Sequence, residues 1–312
     1  MENMMHKSVL LDETIKSLNI DPNKIYIDAT LGYAGHSREV LKRIDKGLLI
    51  AFDQDKQAIR YSQKELDKLK KPFQIVHSNF SNLNNELNRL KIDKVAGIMF
   101  DLGVSSPQLD EGSRGFSYHS DAKLDMRMNQ EDKLTAYEVV NNYEEKDLVR
   151  IFLDYGEERY AKSIAKNIVL ARKKKPISRT LELVEIIKSS VPQKYKRESH
   201  PAQKVFQAIR IEVNRELEIL EQSLKDAISR LEIGGRISVI TFHSLEDKIC
   251  KKVFKELSQI DEIVKGLPNI PKQYLPVLKL IGKYKPSLKE LEENNRSRSA
   301  KLRVAEKIRE KE

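Results

Sequence analysis

Ile25-Tyr-Ile-Asp-Ala-Thr-Leu-Gly-Tyr-Ala-Gly-His-Ser37 decides how the rest of this chain is read. An apolar, β-prone run ends in an acid, Asp28. A tight turn with Gly32 and Gly35 follows, and a helical pattern opens near His36. That is the first strand, turn and helix of an α/β domain, where a nucleotide-like ligand sits at the strand's carboxyl end. A dinucleotide fingerprint would place three glycines in this turn, which has only two. A carboxylate at the strand end would also repel a pyrophosphate; it suits a cationic ligand. S-adenosylmethionine carries a sulfonium and an ammonium group and fits that electrostatics.

The same rhythm continues on both sides. Short apolar runs at Lys24–Asp28, Gly47–Asp53, Phe73–His77 and Val95–Asp101 predict strands. Between them, Ser37–Ile44, Lys56–Leu69 and Asn82–Leu90 predict helices. Strand–helix alternation of this kind builds a doubly wound parallel sheet. After Asp101 the alternation stops. From about Asp110 to Lys204 only helical patterns appear, such as Tyr160–Arg172 and Leu181–Ser189, the latter with Thr180 as its expected N-cap. Val213, Leu217, Leu220, Leu224, Ile228 and Leu231 then predict one long amphipathic helix ended by Gly234-Gly235. Arg236–Phe242 predicts the next strand, Leu245–Leu257 a helix, and Val277–Tyr284 and Lys301–Ile308 a terminal pair of strands. The C-terminal part has too few strands for a sheet of its own. The expected organisation is therefore one discontinuous α/β domain, residues 1–109 and 205–312, interrupted by an inserted helical domain over 110–204.

Composition narrows the function classes. The chain has 312 residues, 39% hydrophobic and 33% charged, with a formal charge of +10 and a pI near 9.3. That charge suits a polyanionic partner; a solvated lysine-rich surface is the alternative reading. The single Cys250 excludes an internal disulfide framework and suits a reducing compartment. No apolar run approaches the ~18 residues that span a membrane, and no signal-peptide pattern opens the chain. A cytoplasmic protein without membrane association is expected. The histidines and the cysteine show no zinc-ligand spacing, so no metal site is expected.

Several strand ends carry chemistry. Asp53 closes the second strand, where a carboxylate can accept both ribose hydroxyls of an adenosine. Phe80, after the third strand, can lie against an adenine ring or pack in the core; both readings stay open. Asp101 ends the fourth strand, and Gly103 and the turn Ser105-Ser106-Pro107 follow at once. Amino-methyltransferases acting on bases carry a short acid-or-Ser/Asn-Pro-Pro-aromatic turn at this place. Its acceptors hold the hydrogens of an exocyclic amine and favour a pyramidal nitrogen aimed at the sulfonium methyl. Catalysis is then mainly positioning and electrostatics. Gln108 stands where an aromatic would be, and a structural turn is the alternative. Arg114–Tyr118 and Leu124–Met128 offer aromatics beside an arginine, suited to stacking an unpaired base or to anchoring the insert to the sheet. Basic runs at Arg172–Lys175, Lys194–Arg197 and Arg296–Lys301 form a candidate backbone-contacting rim. His243, Ser244 and Asp247 lack any nucleophile-elbow context. They read as a strand end with a helix capped by Ser244.

These strings, in this order, resemble the RsmH (MraW) family of ribosomal RNA small-subunit methyltransferases. The likeness runs from His6–Glu13 through Asp28–Ser37, Asp101–Leu109, Arg114–Tyr118, Leu124–Met128, Tyr155–Arg159, His200–Ala202, Phe206–Ile211 and Val239–Lys248 to the terminal Arg-Ser-Ala-Lys-Leu-Arg303. It implies a class I (Rossmann-like) methyltransferase sheet with an all-helical insert. It also implies S-adenosylmethionine as methyl donor and methylation of N4 of one cytidine in the decoding region of 16S rRNA, within the small ribosomal subunit. By resemblance the cofactor contacts fall on Ala34, Gly35 and His36, then Asp53, Phe80, Asp101 and Gln108. Asp101, Ser105, Ser106 and Pro107 are then the candidate catalytic residues. Ala29 and Tyr33 stand where the family usually has glycine. An rRNA-binding assembly factor and a DNA amino-methyltransferase are the alternatives; a nicotinamide dehydrogenase is more remote.

Overall fold

The computed structural model describes residues 8–198, 200–260 and 262–311. His6 and Lys7, at the start of the family-like stretch, lie outside the described residues. Helix α1 (Leu11–Ser17) precedes β1 (Ile25–Asp28), α2 (Gly35–Arg43), β2 (Leu48–Asp53), α3 (Lys56–Asp67), β3 (Phe73–His77), α4 (Leu83–Arg89) and β4 (Val95–Asp101). Helices α5 (Ser106–Asp110), α6 (Ala136–Asn142), α7 (Glu145–Asp154), α8 (Ala161–Arg172), α9 (Thr180–Ser189), α10 (Gln193–Glu198) and α11 (Ala202–Asn214) follow. The chain then makes α12 (Glu216–Arg230), β5 (Leu231–Thr241), α13 (Ser244–Ser258), β6 (Leu278–Tyr284), α14 (Leu288–Glu293) and β7 (Lys301–Lys307).

The strands form one seven-stranded sheet in the order β3-β2-β1-β4-β5-β7-β6. Strands β1 to β5 pair in parallel, and β7 runs antiparallel between β5 and β6. Strand β4 is buried from Val95 to Phe100, as a central strand with both faces covered must be. This is the expected α/β class, a methyltransferase-type sheet. The chain divides into two compact units: one takes the chain up to Gly103 and from Leu217 onward, the other takes Val104–Glu216. Ile50, Phe52, Ile98, Phe100, Ile237 and Val239 centre the first core. The second unit has its own core, with Leu148, Phe152, Ile164, Leu183, Val205 and Ile209 all fully buried.

Two boundaries differ from the expectations, each for a local reason. The long helix predicted over Val213–Leu231 is two helices, broken where Arg215 turns left-handed at φ 53°. Asn214 stabilises the break: its Oδ1 accepts from Met128 N at 2.7 Å and its Nδ2 donates to Met126 O at 2.8 Å. Nor do Gly234 and Gly235 end a helix. Strand β5 starts directly after Arg230, and the glycines lie in an irregularity between the pairs Val95↔Leu231 and Gly97↔Arg236. Gly234 takes φ 86°, and a Cβ on Gly235 would come within 3.0 Å of Ala96 O. Carbonyls on both sides of the α12–β5 junction are met instead by Lys307, 1% exposed, whose Nζ donates to Ser229 O at 3.0 Å and Leu231 O at 2.7 Å.

Within the second unit, Arg114 is buried and its Nη2 donates to Arg127 O at 2.8 Å and Met128 O at 3.2 Å. Phe116, Leu124, Met126 and Met128 join that unit's core. Arg114–Phe116 and Leu124–Met128 thus serve packing and not an open stacking surface. Arg172 likewise donates to Val140 O and Tyr143 O, leaving Lys173–Lys175 as the exposed part of its basic run.

Candidate active site

The parallel strands deliver three acids to one edge of the sheet. Asp28 ends β1 but is 2% exposed, its carboxylate turned into the fold: Oδ1 accepts from Thr30 N at 3.1 Å and Oδ2 from Ser37 Oγ at 2.7 Å. Burial raises it to about 6. The reading of Asp28 as the group that meets the ligand is therefore corrected: it braces the turn and contributes negative potential from behind. Thr30 carries the brace onward, its Oγ1 accepting from Asp101 N at 2.6 Å.

The turn itself needs unusual backbone. Gly32 has φ 50° and Ala34 φ 61°, the latter as N-cap of α2. Gly35 opens the helix, and a Cβ there would lie 1.8 Å from Ser8 Oγ. His36 is buried; its Nε2 lies 3.1 Å from Val9 O and its Nδ1 3.5 Å from Asp101 Oδ2. Burial pushes the imidazole down to about 4, so it is neutral at physiological pH.

Asp53 closes β2 half-buried. Its Oδ2 accepts from Gly32 N and its Oδ1 from Asp55 N, both at 2.8 Å. Burial raises it to about 7 against those hydrogen bonds. A carboxylate has about four acceptor positions, so two remain for a diol. Phe80 is half-buried, its ring edge-on to Phe100 with centroids 5.6 Å apart. Asp101, at the end of β4, is raised well above the carboxylate range by burial first, then by the charges of Asp28 and Glu246. Its Oδ1 is buried and has no hydrogen bond.

Ser105–Gln108 belongs to the second compact unit and forms a capping box at α5. Ser105 N donates to Gln108 Oε1 at 3.0 Å, and Gln108 N donates to Ser105 Oγ at 3.4 Å. Pro107 sits in the first turn, and Gln108 is 7% exposed. The Ser-x-x-Gln spacing is itself a cap signature that the turn reading passed over. The Ser106 side chain lies outside what is described.

After β5 the cap of α13 is His243, one residue before the expected Ser244. Glu246 supplies the return arm, its Oε2 accepting from Phe242 N at 2.7 Å and His243 N at 3.3 Å. Asp247 accepts from Lys301 Nζ at 2.9 Å and Arg303 Nε at 2.7 Å, tying α13 to β7. Thr180 is the first residue of α9 and not its cap; Glu182 accepts there from Ser178 N and Arg179 N. Among the described residues no cluster of His, Cys, Asp or Glu has a metal-binding arrangement, and no helix is long and apolar enough to cross a membrane.

A cationic adenosine cofactor fits this donor set. Asp101 Oδ1 is an acceptor with no donor and Asp53 keeps acceptor positions open, so these two carboxyl groups would repel a pyrophosphate. Residues 3–308 match the model of the MraW methylase family. The chain is 52% identical over 309 residues to the ribosomal RNA small subunit methyltransferase H of Exiguobacterium sibiricum, covering 98% of this chain and 99% of that one. Among solved structures, a putative rRNA methylase from Clostridium thermocellum overlaps at TM-score 0.47 with 12% identity, covering 97% of this chain and 100% of that one. An rRNA methylase from Streptococcus thermophilus overlaps at 0.43 with 13% identity, covering 98% and 99%.

Proposed function

The chain belongs to the MraW methylase family, and from that premise we propose that it methylates N4 of a cytidine in the decoding region of 16S rRNA, within the small ribosomal subunit. S-adenosylmethionine supplies an electrophilic methyl on a sulfonium. The observation that carries the reading is the buried, unpartnered Asp101 Oδ1 at the end of β4, where a cation or an amine hydrogen would satisfy it.

The chain's own residues divide the work. Asp53 accepts the ribose hydroxyls through its open positions. Ala34, Gly35 and His36 line the methionine end, with Asp28 fixing the turn through Thr30 and Ser37. Phe80 flanks the adenine. Asp101 holds an amine hydrogen and favours positive charge beside it. Gln108 locks the backbone of the Ser105–Pro107 turn, proposed to act on the amine, through the capping box. The helical unit and the exposed Lys173–Lys175, Arg296 and Arg298 are assigned to the rRNA backbone.

The test is mass spectrometry of 16S rRNA nucleosides from cells with and without this protein, joined to labelled methyl transfer onto small subunits, naked rRNA and duplex DNA. N4-methylated cytidine that disappears with the protein is expected. Label only in DNA, or an unchanged nucleoside profile, overturns the reading.

A further inference from the structure

The sheet's carboxyl edge holds a second titratable pair that the assignments above do not use. His243 follows β5, and its side chain is 11% exposed. Neither of its ring nitrogens makes a hydrogen bond. A buried imidazole with both nitrogens bare is rare in a native fold and calls for a use.

Glu246 stands beside it, 2% exposed. Its Oε2 is held by Phe242 N and His243 N. Its Oε1 lies 3.1 Å from His243 Nε2, within reach but off the line that a hydrogen bond needs. The anchored carboxylate is an acceptor facing one ring nitrogen. A neutral imidazole beside it carries its proton on Nε2, which leaves Nδ1 as a bare lone pair. The pair belongs to the candidate site by position. Ile240 is the register partner of Asp101, and Leu102 N donates to Ile240 O at 3.1 Å. Phe242 lies 3.6 Å from where a Cβ on Gly103 would stand, and the charge of Glu246 reaches Asp101.

We propose that His243 takes the proton lost by the target amine and that Glu246 is the positioning residue that sets its tautomer. The proposal rests on the amino-methyltransferase reading. The N4 lone pair forms the new bond to the methyl carbon as the carbon–sulfur bond breaks, its electron pair leaving on sulfur as a neutral thioether. One N4 hydrogen passes as a proton to His243 Nδ1, and the N–H bonding pair returns to nitrogen. The imidazolium is held by Glu246 and later releases the proton to water.

Asparagine at 243 keeps a good helix cap but cannot take the proton, and glutamine at 246 keeps the capping arm without its charge. Single-turnover methylation of small subunits is followed from about pH 5 to about pH 9. The charged groups to consider are Glu246 on α13, Asp101 ending β4, and Lys301 and Arg303 on β7, both tied to Asp247. Wild-type rates are expected to rise with pH through one ionisation to a plateau. His243→Asn is expected to bind S-adenosylmethionine normally, lose about a hundredfold in rate and lose that rising limb. Glu246→Gln should retain the limb at reduced rate. A second readout needs no substrate: nitrogen-15 NMR of the free protein should show His243 protonated on Nε2 and bare on Nδ1. An active wild type with an equally active H243N, or a proton found on Nδ1, overturns the proposal. A wild type that methylates no small subunit is a different result: it removes the substrate reading and this role together.

Discussion

Asp53 and Asp28 hold their protons more tightly in the fold than in the unfolded chain, because burial raises them to about 7 and about 6. The sign follows: their contribution to stability is complete below the ordinary carboxylate range and is lost as pH rises through the folded values. His36, pushed down to about 4, acts in the opposite sense and favours the fold as pH rises from there. Asp53→Asn removes the widest of these windows. The free variant is expected to lose less stability than wild type between about pH 4 and about pH 7, measured by urea unfolding at each pH. It should also bind S-adenosylmethionine about tenfold or more weakly by calorimetry, since two charge-assisted hydrogen bonds become poorer ones. The places of Asp53 and Asp101 at the ends of β2 and β4, and of Phe80 just after β3, were legible because buried runs that stop at an acid or a polar turn mark strand ends. The commitment of Asp28 was not, because acid-to-backbone bracing leaves no periodic trace. The contact of His36 with Val9 joins distant segments and has no local signal either.

Strands were the most legible elements, because buried runs ending in acids have few other readings. Helix ends were less so. The apolar spacing across Val213–Leu231 stays in phase through the break at Arg215, so periodicity alone could not place it; the asparagine before it was the only local cue. Similar left-handed residues follow α3 and α4, where exposed Lys70 and Lys91 take φ 51° and 58°. Glycine is the natural residue there. Lys70→Gly and Lys91→Gly are each expected to stabilise the sheet unit by about 0.5–1 kcal/mol, and additively, because they end separate helices. Urea midpoints of the single and double variants check this; a loss of stability in either would refute it.

Each unit has a core of its own, so heat unfolding is expected to proceed in two calorimetric transitions rather than one. S-adenosylmethionine at a hundredfold excess over its Kd should stabilise the sheet unit by about 2.7 kcal/mol. A shift confined to the helical unit's transition would mean that the cofactor contacts lie elsewhere. The strand rhythm that stops after Asp101 led to the expectation of an insert over 110–204; the second compact unit spans Val104–Glu216. The strand order required the structure, since nothing local in β7 says that it enters between β5 and β6. One feature of that order matters before the protein is finished. Strand β4 pairs with β1 and β5, and β5 is encoded only after the whole insert. At roughly 5–20 residues per second of translation, the nascent sheet carries an apolar, unzipped edge for on the order of ten seconds. Synthesis of the insert therefore sets how long the newborn chain is exposed to aggregation and to chaperone capture.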